Sequence, residues 1–451
     1  MSTHRATISL PPVSAVSRPD AVSLLSWYLL ALMAIPSALV VAAFGAAGRP
    51  ATLLGAALLG WYLLSRAHPD FQLDQGRQPV RAAAIGLTCS VLFAYISANR
   101  SAMSVTEVNA ANRGLILLAG WLGVMLLAAD GIADSGRLEV LLSRIVLGAT
   151  AMAVLGVAEF ATGTDLTNYV TVPGLTVHQQ LTDLMVRDGL VRVNSTAAQP
   201  LEFSAVLTMS LPLAIHQARH ALRRRRLRRW LQVAIIAGTI PMAVSRSAML
   251  ALAIIAVILI PTWPASQRRR AYLVLTASAA GLWMIVPGVL RNFATIFGQL
   301  GSDTSTTSRA DALAMAMPLI AAHPWFGLGF ATFSPQTYLF VDDQFLTSLI
   351  ETGVVGLLAL LAVFAAGWHV TRRLRRTAID RPTRDLAWCL TASLAVALIS
   401  FGSFDVLSFS IAAGLFFLIA GCAGAAWRLA GARQAADWPG RSAGGGDTPR
   451  R

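Results

Sequence analysis

Arg192, Arg246 and Arg309, with Asp342 beside them in the second half of the chain, are the side chains whose type and setting could do chemistry. A guanidinium offers planar, paired N–H donors that match phosphate oxygens, so a fixed set of arginines suits a diphosphate or another anionic headgroup. Arg246 stands out because two hydroxyls, Ser245 and Ser247, flank it within the otherwise apolar stretch MAVSRSAMLALA. A carboxylate at the dry edge of a pocket can accept a hydroxyl proton, and Asp342 in LFVDDQFLTSLIETG is the candidate general base. Asp343 follows it and reads as a helix cap, while Glu202, at the start of another apolar run, is a secondary acidic candidate. Each arginine also has a plainer reading, as a side chain that snorkels to lipid headgroups or pairs with a nearby carboxylate.

The elements that must position these groups are membrane helices. The 451 residues are 55% hydrophobic and 13% charged, with a mean hydropathy of +0.62. Soluble enzymes carry about a quarter charged residues, which excludes that class. Apolar stretches long enough to cross a hydrocarbon core as helices number about twelve. They fall near residues 21–44, 51–65, 82–98, 113–129, 140–161, 200–218, 230–244, 248–263, 271–290, 344–370, 386–403 and 407–427. The expected fold class is therefore all-α, a polytopic integral membrane protein of about twelve transmembrane helices. Residues 21–428 form one membrane domain between a tail at 1–20 and a Gly-rich, disordered tail at 429–451.

All 36 basic residues are arginines, and they are unevenly spread. RHALRRRRLRR at 219–229, QRRR at 267–270 and RRLRR at 372–376 fall on one side if both termini are cytoplasmic, as the positive-inside rule requires. Runs that abut helix ends reflect topology and anionic lipid, so no nucleic-acid partner is expected. Two connections, 163–199 and 291–341, are too long for turns and fall outside. The first contains Leu181, Leu184 and Met185, the apolar stripe of an interfacial helix; the second reads as an amphipathic helix through ADALAMAMPLIAA. Arg192, Arg246 and Arg309 then face the same outer leaflet, where the insertion rule supplies no reason for them.

Little else offers a site. Cys89, Cys389 and Cys422 all lie in apolar runs and read as core thiols, and His178 and His323 as isolated external histidines. No metal site and no cofactor are expected. Glu159 and Asp405 lie near helix ends, whereas a proton-coupled carrier places its carboxylates mid-helix.

Four segments in succession carry a resemblance: RVNSTAAQPLEFSAVLTMSLPLA, MAVSRSAMLALA, SRADALAMAMPLIAAHPWFGLGFATF and VDDQFLTSLIETGVVGLLALL, together spanning 192–361. In order and spacing this succession resembles the O-antigen ligase and polymerase superfamily of bacterial envelope polysaccharide proteins. The resemblance implies a glycosyltransferase at the outer face of the cytoplasmic (inner) membrane, with a polyprenyl-diphosphate-linked oligosaccharide as donor. A glycan, a lipid or a protein would be the acceptor, and inversion is the expected stereochemistry. The implied pathway includes a flippase and a chain-length regulator. Arg192 and Arg246 correspond to the family's diphosphate-contacting arginines, and Arg309 to the arginine of the loop before HPWFG. The last motif of the family often begins His-Asn, with the His activating the acceptor, whereas this chain has Asp342 and Asp343. Glu351, Gly353 and Gly356 match its helix start and read as packing or hinge residues. Many other membrane glycosyltransferases hold a divalent cation on acidic residues of the first external loop. Here that loop is GAAGRPATL, so a metal-independent reaction is expected. The alternatives are a transporter or flippase of lipid-linked glycan, which should show repeat symmetry and broken mid-membrane helices, neither of which is read in the sequence, and a sensor or scaffold.

Overall fold

The computed structural model describes residues 20–67, 76–100, 103–178, 184, 186–187, 190–285, 304–333 and 341–436. Its helices are α1 (Ala21–Ala34), α2 (Pro50–Ala67), α3 (Pro79–Ala98), α4 (Val105–Gly131), α5 (Ser135–Thr162), α6 (Pro200–His220) and α7 (Arg223–Thr239). They continue with α8 (Arg246–Leu259), α9 (Ala265–Ile285), α10 (Thr304–Ala322), α11 (Gln344–Thr377), α12 (Arg381–Phe401) and α13. α13 begins at Ser410 and ends at Ala436.

Local chemistry sets most of the helix starts. Asp20, Asp134, Asp343 and Asp380 accept backbone N–H groups at the heads of α1, α5, α11 and α12. Ser104 and Glu107 form a reciprocal capping box on α4. Prolines open α3 and α6, where a missing N–H costs nothing.

Each expected apolar span overlaps a helix, while the count of twelve crossings is not confirmed. Among the described residues six helices are long and apolar enough to cross a membrane, and a seventh arises if the bent pair Ala42–Gly48 and Pro50–Ala67 is one span. The stretch expected to run from 21 to 44 is helical only to Ala34. Ile35 is extended because it precedes Pro36, whose ring disfavours the helical region for its neighbour. The chain then pairs Leu39–Val40 with Thr176–Val177 as a two-residue antiparallel ladder. In the 163–199 connection, Leu181 and Met185, expected on an interfacial helix, lie outside the described residues. Leu184 is not helical, and 186–187 pairs with 190–191 as a hairpin instead.

α13 is the central helix: 94% of its spanning window is buried inside the protein. Other helices pack around it and turn Trp27, Leu64, Ile85, Phe93, Leu147 and Leu358 outward. Such a shell is costly in water and fitting in lipid, and with the apolar spans it makes this a multi-pass membrane protein. α2 and α4 approach so closely that a Cβ on Gly123 would run into the backbone carbonyl of Gly55, the small-residue contact typical of helices in lipid.

The two ends of the bundle are wired differently. At one end arginines tie helix termini together: Arg66 and Arg81 meet Asp130 at 3.3 and 2.8 Å, Arg137 meets Asp20, and Arg428 donates to the carbonyls of Ala129 and Ile132. The basic runs fall at this end. At the other, the loop end, the connections between α1 and α2, α5 and α6, α7 and α8, and α12 and α13 converge on one another.

Candidate functional site

The start of the first segment, Arg192–Gln199, is held through both its backbone and the Thr196 and Arg192 side chains. The Glu159 carboxylate, buried at 0% exposure at the end of α5, accepts from Ser195 N at 2.8 Å. Ser195 is thereby kept at φ +52, a left-handed conformation that costs a non-glycine residue about 1–2 kcal/mol. Thr196 donates through its hydroxyl to Met33 O at 2.8 Å and accepts at its carbonyl from Ser37 N at 2.9 Å. Arg49 Nε in turn donates to Ser37 O at 3.0 Å.

Arg192 Nε donates to Ala243 O at 2.9 Å, which sets the first segment on the second. There the chain turns through Pro241 and Val244, and Val244 sits at φ +47, which is rare for a β-branched residue. Ser245 is the N-cap of α8: its hydroxyl accepts from Ala248 N at 3.4 Å and meets the Ser247 hydroxyl at 2.9 Å. Arg246 is the first helical residue, so its guanidinium belongs to a helix N-terminus, where exposed N–H groups and the helix dipole already favour anions.

The third and fourth segments are interlocked. α11 is broken at Gly353, at φ +65 and ψ −168. The HPWFGLGF stretch, a run of turns with Gly327 and Gly329 at positive φ, lies in the break and satisfies the groups it frees. Leu328 N and Gly329 N donate to Ile350 O and Glu351 O at 2.9 and 2.8 Å, while Val354 N and Val355 N donate to Pro324 O and Trp325 O at 2.9 and 3.3 Å. Glu351 accepts from Phe333 N at 3.3 Å, beside Ala331 at φ +62. The amphipathic helix expected in the second long loop is α10, whose Ala316 packs with Val341 and Ile350 against the start of α11.

Asp342 is exposed immediately before α11. Asp343 is its N-cap and accepts from Phe345 N and Leu346 N at 2.8 and 3.2 Å. Asp405, in the α12–α13 connection, is pushed up to about 6 by burial, against hydrogen bonds from the Ser408 hydroxyl and the backbone, with the smallest contribution from the negative charge of Asp342. Gln344 accepts from Leu407 N at 2.7 Å in the same connection. Glu202, also at 0% exposure, accepts from Ala198 N at 2.7 Å and from Ile411 N and Ala412 N at 2.7 and 3.2 Å. Both of its oxygens are therefore committed to backbone amides. The α12–α13 connection and the first turn of α13 thus link the first segment, through Glu202, to the start of α11, through Gln344.

Of the residues singled out from sequence, Arg192 and the Ser245–Arg246–Ser247 turn are brought together. Asp342, Asp343 and Glu202 stand at the same loop end, within this network. Arg309 lies on α10, with its side chain outside the described residues. Sequence reading passed over Gln344 and Arg49, and it placed Glu159 only near a helix end. Nothing local to those residues signals a partner 12, 36 or 63 positions away, or a loop held through its amides. It is the folded backbone that marks the loops. The non-glycine residues described at positive φ are Ser195, Val244 and Ala331, one in each of the first three segments. Beside the first segment, a cavity of about 140 Å³ is lined by Ser37, Asp165, Thr167, Asn168, Asn194 and Thr196, among others.

No curated protein matches the chain. Residues 231–361 match the family described as O-Antigen ligase, a stretch that takes in the second, third and fourth segments and leaves Arg192 outside it. That family points to glycan processing by glycosyl transfer at a membrane, with a lipid-linked donor and an acceptor. Residues 231–361 are thus similar to an O-antigen ligase domain, carried within a multi-pass membrane protein.

Proposed function

We propose that the protein transfers or polymerises glycan from a polyprenyl-diphosphate-linked donor onto an acceptor hydroxyl, at the outer face of the cytoplasmic membrane and without a metal. The observation that carries this reading is the bond from Arg192 to Ala243 O, which anchors one arginine on the turn that presents the other at a helix N-terminus. Guanidinium groups so placed suit the charge that grows on the departing diphosphate, and stabilisation there lowers the barrier more than it tightens the ground state. Arg309, on the helix packed against the start of α11, is assigned to the same anion. Asp342 takes the proton as the acceptor oxygen attacks the anomeric carbon and the bond to the diphosphate oxygen breaks. Ser245 and Ser247 shape the turn, Asp343 fixes the start of α11 and Glu202 holds the loops. The cavity beside the first segment offers hydroxyls and amides to a glycan's own hydroxyls.

Mass spectrometry of lipid extracts from a deletion strain tests this reading. A polyprenyl-diphosphate-linked glycan is expected to accumulate and to be cleared by the wild-type chain. Arg246→Ala or Arg192→Ala, made at normal levels, is expected to turn the donor over about a hundredfold more slowly or worse. Full clearance by both variants would remove the diphosphate clamp. An unchanged lipid-linked pool, with another solute altered, would favour a transporter.

A further inference from the structure

At the arginine end of the bundle, away from the proposed site, α6 and α12 face each other with two pairs of metal-binding side chains. His216 and His220 are one helical turn apart on α6, as are Asp385 and Cys389 on α12. His216 Nδ1 lies 3.0 Å from Asp385 Oδ2, and His220 Nε2 lies 3.2 Å from the same oxygen. The ligand atoms of His216, Asp385 and Cys389 all fall within 4.8 Å of one another, and His216 and Cys389 are 2% and 0% exposed. With zinc bonds of about 2.0 Å to nitrogen or oxygen and about 2.3 Å to sulfur, the edges of a tetrahedral site are about 3.3 to 3.6 Å. The cluster is therefore within side-chain adjustment of that geometry.

The surroundings match as well. The other ring nitrogen of His216 meets Glu139 on α5 at 3.1 Å, the carboxylate–imidazole arrangement that orients a metal-bound histidine. Arg219, stacked on Trp263 at 4.9 Å, pairs with Asp385 Oδ1 and leaves Oδ2 to the cluster. A thiol, an imidazole and a carboxylate together suit a borderline-soft divalent ion rather than magnesium or calcium.

We infer that His216, Asp385 and Cys389, with His220 as the fourth ligand, form a zinc site that pins α6 to α12. Binding places the ion on His216 Nδ1, Asp385 Oδ2, Cys389 Sγ and His220 Nε2, while the thiol proton, and the proton of His216 Nδ1 or His220 Nε2 where either carries one, leave to solvent. The proton on Nε2 stays directed at Glu139. The site is structural and does not depend on the glycosyl-transfer reading.

The test uses the full chain in detergent, without a polyhistidine tag and freed of metal by chelator, with cobalt(II) as the probe. Wild type and Cys422→Ser are expected to bind about one cobalt per chain with a near-ultraviolet thiolate-to-cobalt band, which zinc displaces and Cys389→Ser abolishes. A folded wild-type chain that binds no cobalt overturns the inference, whatever the variants do. So does a thiolate band that survives in Cys389→Ser or disappears in Cys422→Ser.

Discussion

Asp342 and Asp405 make the clearest residue-scale argument, because one answers to the other. Asp405 carries its proton up to about pH 6 chiefly through burial, with a small addition from the neighbouring Asp342 charge, against an ordinary value of 3.8. A carboxyl whose pKa is raised on folding stabilises the folded state at low pH, and that contribution is lost as pH rises from about 4 through about 6. Asp342→Asn removes the neighbouring charge, so the Asp405 transition is expected to move to lower pH and the variant to melt no lower than wild type at pH 7. In the same variant the rate should fall about a hundredfold or more if Asp342 accepts the acceptor proton, with donor binding little changed. Melting curves from pH 4 to 8, beside turnover and donor affinity, separate the two roles. Full activity with a shifted melting profile would leave Asp342 as a charge neighbour only.

At the scale of elements, the HPWFGLGF stretch and the ETGVVG helix start form one device, since each satisfies what the other leaves unpaired. A break inside an apolar helix frees backbone groups that lipid cannot satisfy, and here a neighbouring turn-rich segment of the same chain takes them up. Gly353 makes the break possible: its φ is +65, and a Cβ there would run into the backbone of Trp325. Gly353→Ala is accordingly expected to cost about 1–3 kcal/mol, more if the HPWFGLGF contacts are lost. Gly60→Ala, where a Cβ would meet nothing within 4 Å, should be close to neutral. Thermal melts in detergent compare the two, and equal melting points would mean the break is not held as described. Sequence made this device half legible. The two motifs and the hinge role of Gly353 could be read from residue types, but their mutual hydrogen bonding could not. Helix existence was readable from apolar runs almost throughout. The end of α1 at Ala34 and the shortfall in full crossings were not, because they turn on Pro36 and on how charge and length are divided among α6 to α9.

For the whole molecule, the loop end is held chiefly by buried carboxylates on backbone amides, with Arg49 and Arg192 each on one carbonyl, whereas the opposite end is held by arginines on carboxylates and carbonyls. This division explains why the arginines were legible and their setting was not: positive charge obeys a topological rule, but the amide partners of Glu159 and Glu202 obey none. Glu202 reaches furthest, joining the first segment at Ala198 to the head of the central helix at Ile411 and Ala412. The change Glu202→Gln keeps the volume but turns one acceptor into an N–H₂ group facing backbone N–H donors. Leaving a buried donor unsatisfied costs about 1–3 kcal/mol, and losing the charge at a helix head adds to it. The expected outcome is a lower melting temperature and a reduced yield of monodisperse protein, with the surviving folded fraction turning over donor at a near-normal specific rate. Arg246→Ala should do the reverse, sparing the fold and removing the rate. Melting temperature and specific activity measured on both variants distinguish a scaffold carboxylate from a substrate-binding arginine. A stable but inactive Glu202→Gln would move Glu202 from the support of the loops into the reacting site.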